Sequence, residues 1–385
     1  MSAYVKQCLL AAISAAIGVW IGCGGGSSPR PCQGATCVPS PAEFLYFTAL
    51  DDISGATLGS SGVPTSFQDQ SGPNQSIGIV ADQSAKFLYV SDFQNASVHA
   101  FTIDGSSGLL TLVSGSPFTV GSPPDAGGIA VDPSTKFLYV TLLNSAQVAG
   151  FSIDPTTGAL TAVPGSPFPA VNTPVQAIVD SSGKFLYVSN LNDSQGAISA
   201  YNIDPTTGAL TPIPGSPFPT QAGFPGPAGL AIGGAGKFLY VGMAGTVNAN
   251  NVISGFSIDP NTGVLSQIAG SPFLAGHNPL GIATDPAAKF LFSANGQDDT
   301  LSAFTIDASS GGLTPVAGSP FATHSAPVAV IVDPKSAYVY VANSGSGDIS
   351  VFSLDAATGT LSPIGGSPFS TGQQEPGGLA IAKAQ

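Results

Sequence analysis

Arginine occurs once in this chain, at Arg30, and glutamate only twice, at Glu43 and Glu375. Asp, Glu, Lys and Arg together make up 8% of the 385 residues, against ~25% in an average globular domain. The net charge of −13 is carried almost entirely by aspartate. A surface without basic clusters cannot neutralise phosphate groups. Nucleic acid and anionic lipid headgroups are therefore poor partners, and phosphorylated substrates are disfavoured. All four cysteines, Cys8, Cys23, Cys32 and Cys37, lie near the N-terminus, which excludes cysteine catalysis from the rest of the chain. There is no GxSxG elbow, HExxH, P-loop, GxGxxG fingerprint or CxxCH signal. No cofactor and no metal site is expected. The adjacent pairs Asp51-Asp52 and Asp298-Asp299 lack an EF-hand frame and read as solvated loop tips.

What the chain has in quantity is glycine, 49 residues, and proline, 33 residues. They punctuate short runs of Val, Ile, Leu, Phe and Tyr, the pattern of many short strands joined by tight turns.

The N-terminus reads as an export signal, with Lys6 ahead of the apolar run Cys8 to Ile21. That run is short for a spanning helix, which needs about 20 apolar residues. Gly22-Cys23 followed by GGGSS resembles a bacterial lipoprotein cleavage site, with Cys23 the lipidated residue. An uncleaved anchor or an ordinary signal peptide is the alternative. Residues 1–22 are thus expected to be a signal peptide, 23–42 a Gly/Ser/Pro-rich tether and 43–385 the folded domain. The expected location is the bacterial cell envelope, periplasmic or surface-facing, with membrane contact only through the lipid anchor. In that oxidising setting Cys32 and Cys37 are expected to form a small disulfide loop.

From Glu43 onward the sequence repeats. Gly128 to Phe168, GIAVDPSTKFLYVTLLNSAQVAGFSIDPTTGALTAVPGSPF, shows the unit. Its FLYV element recurs seven times, starting at Phe44, Phe87, Phe137, Phe185, Phe238, Phe290 and Tyr338. Gly-Ser-Pro-Phe ends at Phe118, Phe168, Phe218, Phe273, Phe321 and Phe369, and an Ile/Leu-Asp turn recurs at Asp104, Asp154, Asp204, Asp259, Asp307 and Asp355. Each full copy holds four strand-like runs, in this unit Ile129–Val131, Phe137–Val140, Val148–Ile153 and Leu160–Val163. Four strands in about 40–50 residues predict a propeller blade. The FLYV run does not alternate with polar residues because blades stack on both of its faces. The turn aspartates are expected to accept backbone N–H groups, and the repeated Lys86, Lys136, Lys184, Lys237 and Lys289 to mark solvated strand starts.

The first copy lacks a GIAVD-type strand, and Gly377–Ala382 is such a strand with no FLY run after it. The fold is therefore expected to be all-β, a seven-bladed β-propeller of four-stranded antiparallel blades, closed by the C-terminal strand pairing into the first blade.

YVSN (Tyr187–Asn190), YVAN (Tyr340–Asn343) and KFLYV within a GIAVDP…GSPF frame resemble YVTN-type repeats and the seven-bladed lactonase family, which includes 6-phosphogluconolactonase-type enzymes and carboxymuconate cyclases. The resemblance spans Glu43 to Ala382. It implies a Gly-Pro-Arg-His-like segment supplying cationic and acid/base groups. Alignment on Pro286 and Lys289 places Leu280 at the arginine and Gly281 at the histidine. Val328 and Ala329 hold those places in the next copy, and Gly377 and Gly378 at the C-terminus. No catalytic residue is carried over.

In such blades the strand 2–3 and strand 4–1 connections emerge on one face, where the copies differ, and variable loops on a rigid scaffold are where binding resides. The strand 4–1 connections offer Asp125, Asn172, Gln176 and Asn278 as a ligand-binding face. They also hold the most chemically capable residues, His277, His324 and Glu375, which are candidates for general acid–base work. The plainer reading of all of these is a polar rim, and His99 reads as structural. Two functions follow. The preferred one is a non-catalytic, monomeric binding module for a protein, peptide or glycan. The alternative is a lactonase-type hydrolase or cyclase acting on a small sugar or aromatic-acid lactone.

Overall fold

The computed structural model describes residues 43–383, apart from 51, 74, 123, 192–195, 221–225 and 245–250. The signal, the tether, Cys23 and the Cys32–Cys37 pair lie outside the described residues. So do Asp51, Asn74, Asn192, Asp193, Asn248 and Asn250.

Seven antiparallel sheets stand around a central channel. The third blade shows the plan, running outward from Ala126–Val131 through Phe137–Leu142 and Gln147–Ile153 to Leu160–Ala162. The first blade is made from both ends of the chain, in the order Leu379–Lys383, Glu43–Thr48, Asp52–Leu58 and Pro64–Ser71. Glu43 pairs with Lys383 and Phe47 with Leu379, so the C-terminal strand closes the ring as expected. Gly377 N and Gly378 N add bonds to the carbonyl and hydroxyl of Thr48, each 2.8 Å.

The FLY element joins each blade to the next. Leu138 and Tyr139 are fully buried, and Tyr139 Oη donates to the carbonyl of Gly208 in the strand 3–4 turn of the following blade, at 2.9 Å. Phe137 lies over the same glycine, whose φ is +75° and where an added Cβ would come within 2.4 Å of the ring. The turn therefore requires glycine twice over, for its backbone angle and for the aromatic ring above it. Tyr46, Tyr89, Tyr187 and Tyr240 repeat the bond onto Gly108, Gly158, Gly263 and Gly311, and Tyr340 reaches Gly62 across the closure. Phe292, in the sixth blade, stands where the hydroxyl would be.

Both aspartate positions of the repeat are structural. Asp154 Oδ1 accepts the N–H groups of Thr156 and Thr157 at 2.9 and 2.8 Å. Asp132 Oδ1 accepts those of Lys136 and Phe137 at 2.7 and 2.6 Å, fixing the inner hairpin. The five repeated lysines are exposed at strand starts.

The outer strand differs from the four-run reading. In six blades it leaves the sheet after three residues and returns as a two-residue segment beginning at the GSPF phenylalanine, here Phe168–Pro169 paired with Gln147 and Val148. The serine of GSPF fills the gap. Ser166 Oγ accepts Gly150 N at 2.9 Å, and Ser116, Ser216, Ser271, Ser319 and Ser367 do the same in their blades. A hydroxyl thus satisfies the middle-strand donor that the absent strand would have paired. The inner strands also begin earlier than read, at Ala126 in the third blade, because a register shift carries pairing past the glycines. Those glycines let the blades meet: a Cβ on Gly128 would lie 2.4 Å from the carbonyl of Val175.

Candidate functional site

The strand 2–3 loops and strand 4–1 connections share one face of the ring, and the aspartate turns occupy the other. His277 and His324 lie on the loop face and His99 within the strand Ser97–Ile103, each against an aspartate.

His277 Nδ1 lies 2.8 Å from Asp298 Oδ1, and its backbone N–H donates to Asp298 Oδ2 at 2.6 Å. His324 Nδ1 lies 2.7 Å from Asp348 Oδ2. Asp348 is itself held by Asn343 Nδ2 at 2.7 Å and Ser346 Oγ at 3.1 Å. A carboxylate only accepts, so in each pair Nδ1 is the donor, and in the neutral form of the ring Nε2 is an acceptor. The side chains of His277 and His324 are 45% and 51% exposed, so both imidazoles can meet a solute. His99 is different. Its Nε2 lies 3.4 Å from buried Asp92, and its ring stacks on Phe101. Burial pushes Asp92 up, but hydrogen bonds from His99 and Asn95 outweigh it and hold the carboxyl below its usual range. His99 occupies the strand position of Ser199, Ser302 and Ser350, which receive the amide of the YVxN asparagine at Asn190, Asn295 and Asn343. The Asp92–His99 pair is the ionisable version of that stitch, and His99 is structural.

The three capable residues lie on successive connections with loops between them. Asp299 holds the connection that carries His324, accepting Ala326 N on its side chain and Thr323 N on its carbonyl. The loop 344–347 is bonded to Ser325 and Ala326 on one flank and to Thr371 on the other, so it separates His324 from Glu375. Glu375 is exposed, with φ +52°, and lines a shallow depression with Ser344, Gly345, Ser346, Gly347, Ser370, Gly372, Gln373 and Gln374. Neither histidine lines that depression.

The remaining candidates fall on both sides of the rim. Asn172 is exposed. Asp125 is buried and engaged by Asn144 N at 2.7 Å and by the Ser145 hydroxyl, which fixes the loop above it. Gln176 is buried and accepts Leu230 N at 2.5 Å, tying two inner strands together. Asn278 is buried with φ +59°, and its Oδ1 has no partner. No group of three His, Cys, Asp or Glu side chains among the described residues is placed to hold a metal ion.

At the position where the resemblance implies an arginine, Leu280 is 2% exposed and packs in one apolar cluster with Val175, Ala228 and Val328. A Cβ on Gly281 would come within 2.6 Å of the carbonyl of Val328, so a histidine there would force two blades apart. This end of the channel is closed by aliphatic side chains.

The molecule is a seven-bladed, strand-closed propeller with two half-exposed aspartate–histidine pairs on its loop face. The family described as "Lactonase, 7-bladed beta-propeller" matches residues 59–178 and 213–332. The chain belongs to that family. No curated protein matches it. Among solved structures, a putative 6-phosphogluconolactonase from Bacteroides fragilis superposes with a TM-score of 0.75 at 21% identity, covering 90% of this chain and 99% of that one. The periplasmic gluconolactonase of Pseudomonas aeruginosa gives a TM-score of 0.72 at 19% identity, covering 89% and 99%. At these identities the likeness is one of fold.

Proposed function

We propose that the protein is a binding propeller of the cell envelope, anchored through Cys23 and monomeric, which holds a glycan or a peptide on its loop face. The observation that carries this reading is the depression between the seventh and first blades. Its walls are serine hydroxyls, glutamine amides, glycine backbone and the single carboxylate of Glu375. Such a lining offers hydrogen bonds with almost no formal charge, which suits sugar hydroxyls and peptide groups. The aliphatic closure around Leu280 supports the same reading, because it fills the place of the family's cationic group. The test is a glycan and peptide array probed with the soluble fragment from Ala42 and with its Gln374→Ala/Glu375→Ala variant. Binding lost in the variant is expected. Equal binding by both would move the site elsewhere.

The aspartate–histidine pairs favour a second reading, hydrolysis of a sugar or aromatic-acid lactone. Nε2 of His277 or His324 would take a proton from water as the oxygen attacks the lactone carbonyl. It would return that proton to the ring oxygen as the C–O bond breaks. Turnover of a lactone panel, abolished by His277→Ala/His324→Ala/Glu375→Ala, would replace the binding reading with this one.

A further inference from the structure

The depression beside Glu375 lies where the first blade's strand 2–3 hairpin is short. In each of the other six blades that hairpin donates an N–H to the connection before it, as Leu143 N does to Asp125 O at 3.0 Å and Ser344 N to Ala326 O at 2.9 Å. Six residues, 92–97, separate the paired Ser91 and Val98 of the second blade. Only four, 49–52, separate the matching Thr48 and Ile53 of the first. Ala49 N turns back to Asp52 O, closing the short hairpin on itself. Glu375 stands at the place of Asp125 and Ala326, and among the described residues no N–H group reaches its carbonyl. Much of the remaining lining has its donors in use. The N–H groups of Ser344, Gly345, Gly347, Gly372 and Gln373 bond within the walls, and the Ser346 hydroxyl donates to Asp348 at 3.1 Å. Glu375 is the one charged residue of the lining, which holds no aliphatic or aromatic side chain. Beyond two glutamine amides and two serine hydroxyls, the depression offers a ligand acceptor oxygen, one negative charge and no apolar surface.

We propose that this depression takes a sugar carrying a free primary amine, its ammonium at Glu375 and its hydroxyls against the serines and glutamines. The proposal rests on the binding reading above and names the ligand class of that site. An ammonium group has three N–H donors and no acceptor, which suits a carboxylate and an unpaired carbonyl on one residue. The net charge of −13 draws cations to the surface as a whole. A lysine side chain presents the same ammonium on a four-carbon stem, and that stem finds no apolar wall here. A sugar ring carries hydroxyls on most of its carbons and needs none.

Isothermal titration of the soluble fragment from Ala42 with the tetramers of glucosamine, N-acetylglucosamine and lysine is the test. One-to-one binding of the glucosamine tetramer is expected, at least tenfold tighter than that of the other two. Glu375→Gln keeps the size and an acceptor oxygen but removes the charge. It should weaken the glucosamine tetramer at least tenfold and leave the melting temperature unchanged. Equal binding of the acetylated tetramer, lost in Gln374→Ala/Glu375→Ala, would overturn the amine and leave the binding reading standing. Tetralysine bound as tightly as the glucosamine tetramer would overturn the sugar in favour of a basic peptide. Undiminished glucosamine binding in Glu375→Gln, or no saturable binding of it by the parent, overturns the proposal, while the glycan and peptide array decides the binding reading separately.

Discussion

Tyr340 Oη donates to the carbonyl of Gly62 at 3.0 Å, joining residues 278 positions apart across the seam where the ring closes. The acceptor is a buried backbone carbonyl in a turn. Tyr340→Phe keeps the packing and leaves a buried carbonyl without its donor, a loss of about 1–3 kcal/mol. The urea midpoint of the soluble fragment should fall accordingly.

The sixth blade offers the reverse experiment. Phe292 occupies the tyrosine position, and Gly359 in the next blade already carries the ring of Phe290 over it, with φ +77°. Phe292→Tyr supplies the missing donor. A gain of about 0.5–1.5 kcal/mol is expected, read as a raised urea midpoint. A lowered midpoint would show that this seam is set at a different distance.

Ser166→Ala removes the acceptor of Gly150 N in the middle strand of the third blade. The expected cost is about 1–3 kcal/mol. Amide exchange at Gly150 should quicken while exchange in the fifth blade stays unchanged. Global quickening would mean that the blades do not report separately.

Deleting Gly377 to Gln385 removes the strand that pairs with Glu43–Phe47. The apolar face of the first blade and an unpaired edge are then exposed together. A sharply lowered melting temperature and concentration-dependent association are expected. Unchanged melting would contradict closure by this strand.

The strand 3–4 turn aspartates predict the acid limb of stability. Backbone N–H donors hold Asp154, Asp204, Asp259 and Asp355 below the usual carboxylate range; at Asp104 and Asp307 serine hydroxyls do most of this. Their native pKa values lie below the unfolded ones. The stabilisation is therefore complete above the ordinary carboxylate range, near pH 4, and is lost as pH falls through the native values. Asp333 opposes this, because burial raises it and its ionisation costs stability as the pH rises. Urea midpoints between pH 2.5 and 7 should be level above about pH 5 and fall below about pH 4. A rise on acidification would contradict the turn assignment.

Much of the scaffold could be read from residues alone, because the FLY run, the aspartate turn and the unmatched C-terminal strand are local patterns whose meaning is repetition. GSPF was visible as a marker but not as a return to the sheet, since the donor that its serine satisfies lies 16 residues earlier in another strand. The inner strands were read short because glycine carries no β signal, and the glycines are there for the neighbouring blade. In the candidate site, the histidines and Glu375 stood out by rarity. Their partners did not: Asp298 is 21 residues from His277 and Asp348 is 24 from His324, each reached only when a blade connection lies beside the next loop. Asp125 and Gln176 looked like rim residues, and nothing local in the sequence distinguishes a loop carboxylate or amide that faces solvent from one that braces a turn.

The first blade, composed of both ends of the chain, also constrains how this architecture can change over evolutionary time. A whole repeat can be duplicated or lost from the middle, since each internal blade begins and ends in the same phase. Neither Glu43–Thr48 nor Leu379–Lys383 can be lost alone, because the two are halves of one sheet. The two ends must therefore be inherited together, while the number of blades between them is the part of the design free to vary.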